Sequence, residues 1–445
     1  MYIFVKKISD NYNVAVLSGS LYIMAPYHLT DLYVRNAIGE FVSFIFIPLV
    51  FLGIYNVLKR DNFDWILIIG CSGLVFTHNI MSLYTAIFGF GYLILNINKL
   101  KNKEVLKKLG INILLILMIL SCFIFPMLEA ELSAKYRVFE KDTMETVNSV
   151  LFHRLPIQQI FVSSSDKGFV FELGPYMIIM IAFSIMTIRT LKKEFRKDYL
   201  FFLFAGLLTL IMSTKLFPWN IMPSFLMIIQ FPWRILVFTC FFFSIVASIN
   251  MGAVIKRFSL KDSLIIICIA LIYIIALGGF VKYSEEELKP VEQMKIGNLT
   301  GMKKEMIVGM GGGEYLPQKA YENRFYIATR EDRILAIEGK ALIENEEKNG
   351  SNLQAKVTTY DDDTVLELPY IYYPGYEIML DGMHIKSFET ENGMLGIKMP
   401  KNENSLLEIK YSGSSIAKSS ILVSIVGVFG TIIYLIINNK KREEI

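Results

Sequence analysis

The feature that most constrains this chain is the alternation of long apolar runs with clusters of Lys and Arg. Apolar runs lie at Asn13–Met24, Ala37–Leu58, Trp65–Phe76, Ile80–Leu95, Ile111–Phe125, Tyr176–Ile188, Leu200–Met212, Pro232–Ala253, Ser263–Phe280 and Ile416–Ile437. A bilayer core of about 30 Å takes roughly 20 apolar residues as helix, and fewer where the membrane thins. The 445 residues are 53% hydrophobic with mean hydropathy +0.46, more apolar than soluble domains usually are. The expected fold class is a polytopic α-helical membrane protein of ten spans, with a β-sandwich-like domain before the last one.

The basic clusters set the expected orientation. They are Lys6-Lys7, Lys59-Arg60, Lys99 through Lys108, Arg189 through Lys197, Lys256-Arg257 with Lys261, and Lys440 through Arg442. Cytoplasmic loops are rich in Lys and Arg. Placing all six inside makes the run from Trp65 to Leu95 cross twice, turning on the outer side at Thr77-His78-Asn79. Both termini then lie in the cytoplasm of a prokaryotic plasma membrane. Met1–Lys7 precedes a polar segment rather than a cleavable signal, so the first span itself is expected to direct insertion.

Three regions follow from this pattern. Residues 1–280 form a multi-span domain with an outer loop at 128–174, in which 130–138 could form a helix. Residues 281–415 form an extracytoplasmic β-rich domain. Residues 416–445 form an anchor and a short basic tail. In the β-rich part, Leu353–Val357, Thr364–Leu368, Tyr376–Leu380, Met394–Lys398 and Ser405–Tyr411 read as strands. Asp361-Asp362-Asp363, Pro374-Gly375, Asp381-Gly382, Asn392-Gly393 and Lys401-Asn402 separate them as turns, since Gly accepts positive φ.

Ionisable residues near apolar runs are the candidates for chemistry, because a charge at bilayer depth is costly and usually faces a wet cavity. Asp31 and Arg35 share a helix face at i,i+4. Glu40 faces elsewhere unless Gly39 breaks the helix. One reading makes Asp31 or Glu40 a base or metal ligand and Arg35 an anion contact. The other makes them an ion pair that fixes how the chain enters the helix. His78 and Asn79 either hold a phosphate and shuttle a proton, or form an ordinary polar turn. Lys215 and Arg234 flank the apolar run Ile221–Ile229, with Trp219 and Trp233 beside them as aromatic-belt residues. Arg234 either reaches lipid phosphate or clamps a bound phosphate with its planar fork.

Other motifs exclude activities. Gly311-Gly312-Gly313-Glu314 lacks the Gly-Lys-Ser/Thr of a phosphate loop. Asp361–Asp363 lacks EF-hand spacing. Cys71, Cys122, Cys240 and Cys268 all sit in apolar runs and read as small core residues. No nucleic-acid motif, zinc signature or Ser/His/Asp triad stands out. No cofactor is named, and a divalent cation stays open.

Tyr22-Ile-Met-Ala-Pro26-Tyr27-His-Leu-Thr-Asp31-Leu-Tyr-Val-Arg35-Asn-Ala-Ile-Gly-Glu40 resembles a block of the membrane proteins labelled 6-pyruvoyl-tetrahydropterin synthase-related. Pro48, Thr77-His78-Asn79, Gln230-Phe231-Pro232-Trp233-Arg234, Glu314-Tyr315-Leu316-Pro317 and Tyr373-Pro374-Gly375-Tyr376 match further blocks in the same order. Nothing in the chain suggests pterin chemistry. The family is similar to YfhO-like proteins and, more distantly, to GT-C membrane glycosyltransferases. The resemblance implies sugar transfer from a polyprenyl-phosphate donor to an envelope glycan acceptor on the outer face. It implies a catalytic carboxylate, for which Asp31 and Glu40 stand as candidates, and phosphate contacts from Arg35, His78, Asn79, Lys215 and Arg234. It also implies additional spans ahead of this region. The chain is therefore expected to be an N-terminally incomplete member, with an N-terminal fragment as a partner alongside membrane lipid. The alternative is a non-catalytic envelope-assembly or glycan-binding membrane protein.

Overall fold

A helix that is apolar on every side belongs in a core. Pro232–Arg257 is such a segment, and 89% of its most apolar window is buried. A computed structural model of the protein describes residues 1–137, 147–160, 173, 175–259, 263–287, 313 and 315–443. The glycine-rich stretch before Gly313 and the serine-rich part of the 128–174 loop lie outside the described residues. The contacts divide the chain into two units. One comprises Met1–Leu120, Met144–Lys295 and Val426–Ile445, and the other Ser121–Thr143 and Ile296–Ile425.

The first unit is helical. Its elements are α1 (Tyr2–Ser9), α2 (Tyr12–Ile23), α3 (Pro26–Tyr33), α4 (Ile38–Lys59), α5 (Ile66–Thr77), α6 (Asn79–Leu95), α7 (Ile97–Leu100) and α8 (Lys103–Ser133). There follow α9 (Val147–Phe152), α10 (Pro175–Ala182), α11 (Ser184–Thr190), α12 (Lys193–Ser213), α13 (Leu236–Arg257) and α14 (Ser263–Glu287). Phe241 and Phe242 of α13 are buried against Phe51, Phe88 and Phe202 from α4, α6 and α12. Helices α4 and α5 approach backbone to backbone at Gly53, where a β-carbon would sit 2.4 Å from Leu67 Cα.

Four helices are long and apolar enough to cross a membrane: Ile38–Lys59, Lys103–Ser133, Pro232–Arg257 and Ser415–Asn438. Ile66–Thr77, Asn79–Leu95 and Ser263–Ala276 are shorter apolar helices. The apolar windows of α8 and the C-terminal helix are only 22% buried, so their side chains face outward as lipid-exposed residues do. Two expectations differ from what is seen. The run Tyr176–Ile188 breaks at Phe183 into α10 and α11. Asn250 of α13 causes the break: its Nδ2 donates to Met180 O at 2.9 Å and to Ser184 Oγ at 3.0 Å, capturing the carbonyl that would continue the helical ladder. Helix α8 runs on past Phe125 to Ser133, taking in the start of the helix expected at 130–138, and Tyr136 pairs with Pro317 as a β-bridge.

The second unit contains an antiparallel β-sandwich. One sheet has strand order β1-β4-β8-β7 and the other β2-β3-β9-β5-β6. The strands are β1 (Leu335–Glu338), β2 (Ala341–Asn349), β3 (Asn352–Thr359), β4 (Thr364–Ile371), β5 (Tyr376–Leu380), β6 (Met383–His384), β7 (Ser387–Glu389), β8 (Met394–Met399) and β9 (Asn402–Tyr411). Leu366, Leu395 and Ile397 from one sheet meet Leu353, Val357, Leu407 and Ile409 from the other in a single core. The Asp381-Gly382 turn has positive φ at both residues, 48° and 79°, as a tight hairpin requires. Strand β4 is buried on both faces, because Tyr326 and Arg330 cover its outer face and bind the fully buried Glu367.

Candidate functional site

Pro26 opens α3 at its first turn, where its missing N–H costs nothing. Tyr27 and Asp31 lie one turn apart on that helix and point the same way. The helix ends tightly: the N–H groups of Val34 and Arg35 both donate to Thr30 O, and Ala37 N–H donates to Asp31 O at 2.8 Å. Asn36 makes this closure with φ 50°, the left-handed conformation that Asn tolerates better than most residues. Helix α4 then starts at Ile38 and carries Glu40 in its first turn. The helix does break between Arg35 and Glu40, at Asn36 and not at Gly39. Gly39 instead lets α4 start against the end of α5, since a β-carbon there would stand 2.7 Å from Thr77 O.

This bend folds Glu40 back onto Arg35. Arg35 Nη1 lies 2.5 Å from Asp31 Oδ1, 3.1 Å from Glu40 Oε1 and 2.9 Å from the Tyr27 hydroxyl. Tyr27 donates its O–H to Glu40 Oε1 at 2.6 Å. On the other side of Glu40, Oε2 lies 3.4 Å from Arg234 Nε. Arg234 sits in the short 3-10 turn Pro232–Ile235 that leads into α13. Its Nη1 donates to Gln230 Oε1 at 2.7 Å, and its guanidinium packs 4.8 Å from the centre of the Phe231 ring.

Burial sorts these groups. Asp31 and Glu40 side chains are 0% and 1% exposed, while Arg35 and Arg234 keep 12% and 15%. The guanidiniums are thus the groups a ligand meets first, with the carboxylates behind them. Burial, and next the negative charge of Glu40, push the Asp31 carboxyl well above its ordinary value, against the pull of Arg35. Burial works against the Arg35 charge, but Tyr27, Glu40 and Asp31 more than offset this and raise its pKa. Burial, with Asp31 and Glu40 nearby, also keeps Tyr27 protonated as a donor. Two guanidiniums, Arg35 and Arg234, thus stand against the two buried carboxylates.

The other sequence candidates fall differently. His78 caps α6, its Nδ1 accepting the Met81 N–H at 3.3 Å. It is close enough to feel Glu40, Arg234 and Arg35, and burial is the largest cause of its lowered pKa. At neutral pH it is an uncharged imidazole, so it offers a neutral ring rather than a cation for phosphate. Asn79 is exposed, with no described contact to the cluster. Lys215 is exposed too, and its backbone joins Leu155 in a bridge-like contact. Trp219 is no belt residue: it is fully buried and donates its Nε1 hydrogen to Met212 O at 2.8 Å. Among the described residues no three His, Cys, Asp or Glu side chains gather as a metal ion would need.

Sequence reasoning passed over Tyr27 and Gln230, although Tyr27 is one helical turn from Asp31. It also passed over a second buried charge. Asp64, fully buried, receives Lys108 Nζ at 3.2 Å, Asn112 Nδ2 at 3.0 Å, the Tyr434 hydroxyl at 2.6 Å and Asn438 Nδ2 at 3.2 Å. Both of its oxygens are satisfied, which suits a structural tie between α8 and the last helix rather than a binding site.

No family model and no solved structure matches the chain. A protein of Lactococcus lactis subsp. cremoris (strain MG1363), described as uncharacterised, is 23% identical over 463 residues, covering 95% of this chain and 75% of that protein. The likeness is spread along nearly the whole chain and carries no activity with it.

Proposed function

We propose that the chain is a GT-C-like membrane glycosyltransferase, or the C-terminal portion of one, that holds the phosphate of a polyprenyl-phosphate sugar donor with Arg35 and Arg234. The observation that supports this reading is the cluster's charge arrangement. Two guanidiniums keep some exposure and lie on either side of Glu40, with both carboxylates buried behind them. Planar guanidinium forks suit a phosphate, and cations stabilise a departing phosphate during glycosyl transfer. In this arrangement Glu40 and Asp31 position the cations. A base must reach the hydroxyl it activates, and neither carboxylate has the exposure for that. The family resemblance supplies the donor class. In the ten-span reading the cluster lies at the outer face, beside the His78 turn.

The burial of both carboxylates favours a second reading, a non-catalytic envelope-assembly or glycan-binding protein in which the cluster only fixes the start of α4. Binding of undecaprenyl phosphate to the purified protein in nanodiscs, followed by native mass spectrometry, separates the two. Arg35→Ala and Arg234→Ala are expected each to weaken binding about tenfold or more, the loss typical of a charge-assisted phosphate contact. Arg234→Lys keeps the charge without the fork and should fall between. Unchanged binding in the folded variants would leave only the structural reading.

A further inference from the structure

Four tyrosines of the second unit line one open pocket. Its volume is 360 Å³, and Tyr136, Tyr373, Tyr376 and Tyr411 stand in its wall with Glu129 and Ser414. Tyr373-Pro374-Gly375-Tyr376 is one of the motifs singled out in the sequence, and the charged cluster gives it no role. Gly375 has φ 110°, and a β-carbon there would press within 3.0 Å of Gly413 Cα. The turn that presents Tyr373 and Tyr376 is therefore fixed in shape. The Tyr373 hydroxyl donates to Tyr315 O at 3.2 Å, and Tyr136 is held by its bridge to Pro317. Glu129 accepts the Ser414 hydroxyl.

We propose that this pocket is a saccharide-binding site, taking one or two sugar rings of a glycan. A binding pocket typically has mostly apolar and aromatic walls with a few polar groups that orient the ligand, in a volume of roughly 300–1,000 Å³. Here the aromatic rings offer faces for the C–H side of a pyranose. The Glu129 carboxylate and the tyrosine hydroxyls offer partners for its hydroxyl groups. The rival ligand for tyrosines beside a carboxylate is a quaternary ammonium group, which wants rings facing a common point. Tyr136 and Tyr373 instead stack on each other, 22° from parallel with centroids at 6.5 Å, and Tyr376 and Tyr411 meet edge to face at 5.2 Å, so the four rings are paired rather than turned to one point.

The site stands apart from the phosphate reading, since no residue of the charged cluster contributes to it. Its test measures binding alone, on the full chain in nanodiscs of phosphatidylglycerol, which has no choline. Saturation-transfer NMR would probe chitobiose, cellobiose and maltose. At least one should receive saturation at its ring C–H protons, competed by none of the phosphocholine added as control. Tyr411→Ala, at an exposed position, should weaken binding about tenfold or more, as loss of an aromatic anchor does. Glu129→Gln should weaken it with the circular dichroism spectrum unchanged. No transfer to any of the three sugars, binding unaffected by both substitutions, or displacement by phosphocholine would each overturn the proposal.

Discussion

Asn36 does more for the charged cluster than any of its ionisable members. Its left-handed conformation ends α3 and turns Glu40 back toward Arg35. Helical spacing made the Asp31–Arg35 pair legible, because residues four apart share a face. It left Glu40 undecided, since five residues of unbroken helix would have carried it away. Arg234 could not be matched to Glu40 from sequence, because the register between distant helices is set by packing. His78 offers a prediction at this scale. Its folded-state pKa is lowered, so the unfolded chain binds the proton more readily. The stability it contributes is present above its ordinary value of 6.5 and is lost as the pH falls through the lowered one. His78→Asn keeps a capping acceptor that does not titrate in this range. Thermal unfolding in detergent should show a shallower loss of stability below that pH in the variant. His28, half-buried and lowered as well, adds to the acid sensitivity that remains.

At the scale of elements, polar side chains decide where apolar sequence stops being one helix. Hydropathy reads Tyr176–Ile188 as a single run, and Asn250 divides it from a neighbouring helix. The same Asn250 accepts the Tyr199 hydroxyl at 2.7 Å. Asn250→Ala would take this partner from that buried hydroxyl, while the Met180 carbonyl keeps the Phe183 N–H, at a cost of about 1–3 kcal/mol. The melting temperature of the purified protein should drop accordingly, and Asn250→Ala with Tyr199→Phe should recover part of the loss. A full loss in the double variant would mean the two residues act separately. Strands were more legible than helix breaks. Each of the five expected strands lies within an observed one, because Asp-Gly and Asn-Gly turns mark their ends chemically. Strand β2 was missed because most of its residues are exposed and it carries no sustained alternation.

At the scale of the whole molecule, the structure shows a helical unit, a unit built on a β-sandwich, and four helices fit to cross a membrane, two of them divided between the units. Long apolar runs and a change to short strands announced both in the sequence. The direction of each crossing rests on the basic clusters, and it can be measured. With the native cysteines replaced, Asn79→Cys at the exposed start of α6 should react with a membrane-impermeant maleimide added outside intact cells. Lys101→Cys, in the basic connection before α8, should react only after the cells are opened. The reverse pattern would turn the topology over and take the outer-face reading with it.

The joining of Arg234 to Glu40 also has a consequence in time. A chain emerging from the ribosome makes residues 31–40 long before residue 234. Until then Asp31 and Glu40 share a single guanidinium, one negative charge in surplus. Arg234 then arrives as the last charge added, and the two carboxylates are matched by two guanidiniums only when α13 is in place.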